Sequence, residues 1–189
     1  MKAWSLLLAI LLAGCGSTAA SLTYTPTETV QPQAAPMVGT VTVVDQRGES
    51  DPNYVGVIRG GFGNPLKTLT SDRPVRDEVA SAFIAGLQAR GLYEPAGPDT
   101  LTITLTEFSS DQYHRREARV GFTLVLTRRG QPLYQRAETV DKINGSMVTF
   151  DTGVFASIDD LRAITDQALS QAVDQALDRP GFLAAIRGR

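Results

Sequence analysis

Few residues in this chain could do chemistry, and none stands in a reactive pattern. His114 is the only histidine and lies in the polar run Asp111-Gln112-Tyr113-His114-Arg115-Arg116. A nucleophile activated by it would have to sit beside it in space, and the sequence contains no G-x-S-x-G elbow to present a serine. The run Gly60-Gly61-Phe62-Gly63-Asn64 lacks the Lys and Ser or Thr of a phosphate loop and is followed by Pro65, so it reads as a turn. Asp45, Glu49, Asp51 and Asn53 are rich in oxygen, but their spacing is not that of a calcium loop. One Cys and one His cannot build a structural zinc site, and a single Cys forms no internal disulfide. No motif arranges two carboxylates for acid–base work. The expectation is a protein that is not an enzyme and uses no cofactor or metal. Contact residues remain: Phe62 in its glycine turn, and Tyr113, His114 and Arg115, of which Tyr and Arg are common interface anchors. Asp45 and Arg47 are expected to tie the end of a strand to the following loop.

Eighteen basic and twenty acidic residues leave a net charge of −2, without the basic excess of a nucleic-acid binder. With 42% hydrophobic and 20% charged residues over 189 positions, the chain has the balance of one globular domain. Elements that would position the contact residues can be read from periodicity. Residues 39–45 alternate and are β-branched, which predicts a strand; 46–53 is a polar loop. Short strands at 54–58 and 67–70 would flank the glycine turn. Val75, Val79, Ala82, Phe83 and Leu87 recur at helical spacing, with Ser71 or Asp72 as N-cap, Pro74 in the first turn and Gly91 as the stop. Three alternating runs, at 101–106, 120–126 and 132–140, predict an antiparallel meander with residues 113–116 bulging from it. A last helix starts near Ser157 with Asp160 in an approximate capping box, carries Leu161, Ile164, Ala168, Ala172 and Val173 on its buried stripe, and is broken by Pro180 before a short terminal helix. The fold expected is α+β: one mainly antiparallel sheet with two helices packed on a face, plus a short C-terminal helix.

The N-terminus has a different character. Lys2 precedes an uncharged, mostly aliphatic run at 3–13, which is too short to span a bilayer core of about 20 residues and has the pattern of a secretory signal peptide. Leu12-Ala13-Gly14-Cys15 closes it and resembles the lipobox of bacterial lipoproteins. That resemblance implies signal-peptidase recognition at Leu12, Ala13 and Gly14, removal of residues 1–14, and diacylglyceryl and palmitate-type acylation of Cys15. Gly16-Ser17, with no Asp after the Cys, implies an outer-membrane location facing the periplasm. Residues 16–37 hold Pro26, Pro32, Pro36 and one charge, Glu28, and read as a flexible tether with a reach of roughly 25 Å coiled or 70 Å extended. The domains expected are therefore 1–14, signal peptide; 15–37, lipidated Cys and tether; 38–189, periplasmic domain.

Val43-Val44-Asp45-Gln46-Arg47, the helix end Gln88-Ala89-Arg90-Gly91-Leu92-Tyr93 and Leu101-Thr102-Ile103-Thr104-Leu105 resemble the YajG-type family of bacterial lipoproteins over about 38–187. The auxiliary lipoproteins of ABC-type transporters have a similar order of strands and helices. Neither resemblance brings an enzymatic activity. Two functions follow as expectations. One is a non-catalytic, membrane-anchored binding module for an envelope protein partner, with no nucleic acid involved. The other is a transporter-associated or lipid-handling accessory, whose apolar groove would be lined by Phe83, Leu87 and Leu161; a filled core there favours the first.

Overall fold

The Leu-Thr alternation at 101–105 lies inside the strand on which the whole sheet is organised. A computed structural model describes residues 16–27, 37–144 and 156–188. Their elements, in chain order, are β1 (Gly16–Ala20), β2 (Val38–Asp45), β3 (Tyr54–Arg59), β4 (Pro65–Ser71), α1 (Val75–Ala89), β5 (Asp99–Gln112), β6 (Arg116–Arg128), β7 (Gln131–Asn144), α2 (Ile158–Leu177) and α3 (Pro180–Arg187). The strands form one sheet in the order β1-β4-β3-β5-β6-β7, with β2 also on β5. On one side β5 pairs with β6 from Asp99 to Gln112. On the other side its first half pairs with β2 and its last residues, Ser110–Gln112, pair with β3.

The meander β5-β6-β7 is antiparallel as its alternation predicts, and β3–β4 is an antiparallel hairpin. The sheet as a whole is mixed, which corrects the expectation of a mainly antiparallel one: β1–β4, β2–β5 and β3–β5 are parallel pairs. Parallel partners are distant in sequence, so a reading of adjacent hairpins cannot find them.

A register shift between Leu105 and Glu107 makes β5 a bulged strand. The extra residue flips the alternation. Leu101, Ile103 and Leu105 are buried before it, and Phe108, Ser110 and Gln112 after it. The same sheet face is thereby kept toward the core along all of β5. The buried hydrophobic residues of β5 and β6 join Val79, Phe83 and Leu87 of α1, Leu161, Ala168 and Val173 of α2, and Phe182 of α3 in one cluster. Phe83 meets Phe122 edge-on, with centroids 5.2 Å apart.

The N-terminal caps follow the expectation at one helix and not at the other, while α1 stops before Gly91 as expected, with φ 64° there. Ser157 caps α2, its hydroxyl accepting the Asp160 N–H at 3.3 Å. At α1 the cap position is Pro74 with no side-chain cap. Ser71 instead donates to the Arg73 carbonyl, and Asp72 accepts from the Ser21 hydroxyl at 2.6 Å. The first helical N–H, that of Val75, is satisfied by the Pro52 carbonyl at 2.9 Å.

The largest departure concerns the tether. Over 16–27 the chain is not free. Gly16–Ala20 pairs with Lys67–Ser71, Leu22 joins the core, and the next residues lie along α2. Polar composition gives this segment little apolar surface, but backbone pairing and side-chain acceptors on α2 hold it instead.

Candidate functional site

Two turns, distant in sequence, meet at one end of the sheet. The first joins β3 to β4. Gly60 N–H donates to the Asn64 carbonyl and Gly63 N–H to the Gly60 carbonyl, each at 2.8 Å. Gly63 has φ 81°, the left-handed region that favours glycine. This tight geometry puts Phe62 at the apex, where its side chain is 100% exposed. The second turn, residues 113–115, joins β5 to β6 above the closing pair Gln112–Arg116. The parallel pairing of β3 with the end of β5 sets the two turns side by side. The Tyr113 hydroxyl then donates to the Gly61 carbonyl at 3.0 Å. His114 lies against the Tyr113 ring, with centroids 3.9 Å apart.

Charges around this tip are paired. Arg59 Nε donates to Asp111 Oδ2 at 2.6 Å, Arg115 pairs with Glu117, and Arg116 reaches Asp160 at the start of α2, at 2.9 Å. Ile143, near the end of β7 and paired with Glu117, is also exposed. The structure thus brings Phe62, Tyr113, His114 and Arg115 to one end of the molecule. The tip presents aromatic surface and paired charges. Among the described residues no group of three His, Cys, Asp or Glu could hold a metal ion. Leu12, Ala13, Gly14 and Cys15 lie outside the described residues.

A second polar centre, missed in the sequence reading, holds the N-terminal segment. Extended residues advance roughly 6.7 Å per two positions and a helix 6 Å per four. The segment matches its N–H groups to α2 on that common spacing. Thr23 donates to Asp166 and Thr25 to Ser170, each at 3.0 Å, and Thr27 donates to Asp174 at 2.6 Å. Asp174 also accepts from the Tyr24 hydroxyl at 2.6 Å and from Arg90 at 2.9 Å. Arg90, at the C-cap of α1, is buried and reaches Asp178 at 2.6 Å as well. It gets this close because Gly86 lets the helices approach: a Cβ there would lie 2.7 Å from Val173.

Burial pushes the Asp174 carboxyl up, but hydrogen bonds from Thr27, Tyr24 and Arg90 outweigh it and hold it below its ordinary value. Burial and the bond to Asp174 push Tyr24 up to about 12. Burial raises Asp166 against the pull of the Thr23 N–H. Among the described residues no buried side-chain nitrogen or oxygen lacks a partner. The available signals were Thr at 23, 25 and 27 opposite Asp166, Ser170 and Asp174 at four-residue spacing.

Asp45 and Arg47 behave as expected. Arg47 forks onto Asp45 at 2.8 and 2.9 Å and donates to the Tyr54 carbonyl at 2.8 Å, which ties the end of β2 to the loop. Hydrogen bonding from Arg47 lowers the Asp45 carboxyl. Phe83, Leu87 and Leu161 are buried without exposure and line no groove. A depression of about 450 Å³ lies between the N-terminal segment and α2, and its walls include Thr25, Arg162, Asp166, Gln167 and Ser170, which makes it polar.

No family model matches the chain, and no curated protein matches it. Among solved structures it is similar to protein XCC0632 from Xanthomonas campestris, of family model DUF330, at 16% identity and a TM-score of 0.63, covering 90% of this chain and 99% of that one. It is also similar to an uncharacterized protein at 14% identity and a TM-score of 0.58, covering 86% of this chain and 97% of that one. The minor lipoprotein from Acinetobacter baumannii stands lower, at 12% identity and a TM-score of 0.40 over 56% of this chain and 84% of that one. At such identities, the first two likenesses establish a shared fold, which XCC0632 carries over almost its full length.

Proposed function

We propose that this chain is a non-catalytic lipoprotein of the bacterial envelope, anchored through a lipidated Cys15, whose domain acts as a binding module. Residues 1–14 are removed in this reading, and the outer membrane facing the periplasm is its location. The contact surface is the tip formed by Phe62, Tyr113, His114 and Arg115. One observation carries the assignment: a phenylalanine with its whole side chain in water stands beside a second turn bearing Tyr and His. An aromatic ring presented this way on a hydrogen-bonded turn is set up to enter a partner surface at little ordering cost. The buried state of Phe83, Leu87 and Leu161 speaks against the lipid-handling alternative, which needs them along a groove.

The test is a photoreactive phenylalanine analogue at position 62 in cells, with position 133 as the comparison. Leu133 is also exposed but lies by the β6–β7 turn at the other end of the sheet. Adducts from 62 and none from 133 are expected. Equal yields would remove the tip as the contact surface. A palmitate analogue should label the wild type and not Cys15→Ser, and equal labelling would remove the anchor.

A further inference from the structure

We infer that the partner of the tip is the membrane surface itself, with Phe62 inserted at its interface. The domain then lies on the bilayer by this end instead of standing off it. This inference rests on the reading of Cys15 as the lipidated residue.

The argument begins with the direction of β1. It runs parallel to β4, and its first residue, Gly16, pairs with Lys67. Since β4 opens at Pro65, directly after the turn that carries Phe62, Gly16 lies at the tip end of the sheet. From there the chain runs away from the tip, past Ala20 opposite Ser71, and along α2 from Asp166 to Asp174. One chain step is 3.8 Å and one strand spacing about 4.8 Å. In the reading that lipidates the residue before Gly16, the lipid is attached one peptide bond from the residue that pairs with Lys67. Pairing from Gly16 onward takes up the slack that a tether would supply. An anchor so placed holds this end of the domain down.

The chemistry of that end suits an interface. Large hydrophobic side chains exposed among the described residues are Val44, Phe62, Leu133 and Ile143, and the two with the greatest exposure, Phe62 at 100% and Ile143 at 56%, both stand at the tip. Tyr113 and His114 add rings with polar edges, which favour the headgroup level. Asp111 and Glu117, the carboxylates nearest the turns, are each paired with an Arg. Bringing this end against headgroups thus leaves neither as a bare anion. A protein partner would explain an exposed Phe62, but not why the chain enters the sheet beside it.

The test uses the full chain, purified with its lipid from bacterial membranes. Trp4 is the only tryptophan and falls in the segment expected to be removed, so Phe62→Trp gives a mature protein with one indole. It is reconstituted into vesicles of phosphatidylethanolamine and phosphatidylglycerol, with or without brominated acyl chains, and Leu133→Trp serves as the comparison. The indole of F62W is expected to emit further to the blue than that of L133W and to lose most of its emission to the brominated lipid, while L133W keeps its own. Palmitate-analogue labelling is followed on the same samples. A labelled protein whose F62W indole stays unquenched overturns the inference and leaves the lipoprotein reading intact; protein adducts from position 62 would then assign the tip to a protein. Equal quenching at both positions overturns it too. Absence of label overturns both readings together.

Discussion

Phe62 and Arg90 occupy opposite chemical situations. Arg90 is a charged group in the interior, and its donors are taken up by Asp174, Asp178, Tyr24 and the Gly86 carbonyl. Phe62 is a large apolar group in water on a turn held by two backbone hydrogen bonds, Gly60 N–H to Asn64 and Gly63 N–H to Gly60. The first arrangement joins α1, α2 and the N-terminal segment, and only its Asp178 edge reaches the surface. The second leaves apolar surface unused, although the fold buries Phe83, Phe108, Phe122 and Phe182 completely or nearly so. Groups that satisfy one another hold the molecule together, and a group the fold could have buried and did not is available to a partner.

The largest expected loss of stability is at Arg90. Arg90→Ala would leave the carboxylate of Asp174, whose side chain is 9% exposed, without its cation. Breaking a buried pair from one side costs about 3–5 kcal/mol. A urea or thermal melt should show that loss, and proteolysis should open the segment at 23–27. Arg90→Lys should recover little of it, because a single ammonium cannot span Asp174, Asp178, Tyr24 and the Gly86 carbonyl as the fork does. A loss below about 1 kcal/mol, the range of an exposed pair, would show that the cluster is not the lock described.

The next effect is smaller and depends on pH. The Asp174 carboxyl is lowered in the folded state, so the folded protein holds its proton less tightly than the unfolded chain does. Its stabilisation is fully present above the unfolded value, about 3.9, and is lost as pH falls through the lower folded value. Urea midpoints of the wild type and Asp174→Asn should therefore differ at neutral pH and converge below about pH 4. A difference that stays constant through the acid range would remove the carboxylate from the account.

These two regions were not equally legible in the sequence. The glycine turn, the polar run at 113–116 and the strands leading to them were evident from composition and alternation, because hairpins are local. That the turns meet was not, since it depends on β3 lying parallel to the end of β5. The bulge at 105–107 was hidden within a run whose alternation is regular until it shifts phase. The segment at 16–27 was misjudged for a physical reason. Flexibility was inferred from a lack of apolar side chains, while the segment is held by its own N–H groups on β4 and on acceptors of α2. In the sequence Arg90 stands out only as part of a helix end. Asp174 is the one charged residue on the buried face of α2, and a charge in that place calls for a buried partner.

The smallest expected effect on stability is at the tip, and it sharpens the contrast most. Phe62→Ala removes a side chain that is 100% exposed and packs on nothing. Tyr113→Ala removes, at a half-buried surface position, one hydrogen bond to the Gly61 carbonyl and the ring contact with His114. Surface substitutions away from the core usually shift stability by about 0.5 kcal/mol or less, so the double variant should melt close to the wild type and keep the same urea slope. Arg90→Ala should do the reverse, lowering the melt while the tip keeps its chemistry. If the tip is the contact surface, the retention of lipidated protein on vesicles, or its crosslinking in cells, should fall in the double variant and persist in Arg90→Ala at temperatures where that variant is still folded. A double variant that melts several degrees lower would mean that the Tyr113–Gly61 contact supports the sheet end. The aromatic tip would then belong with the Arg90 cluster, as a group kept for the fold and not for a partner.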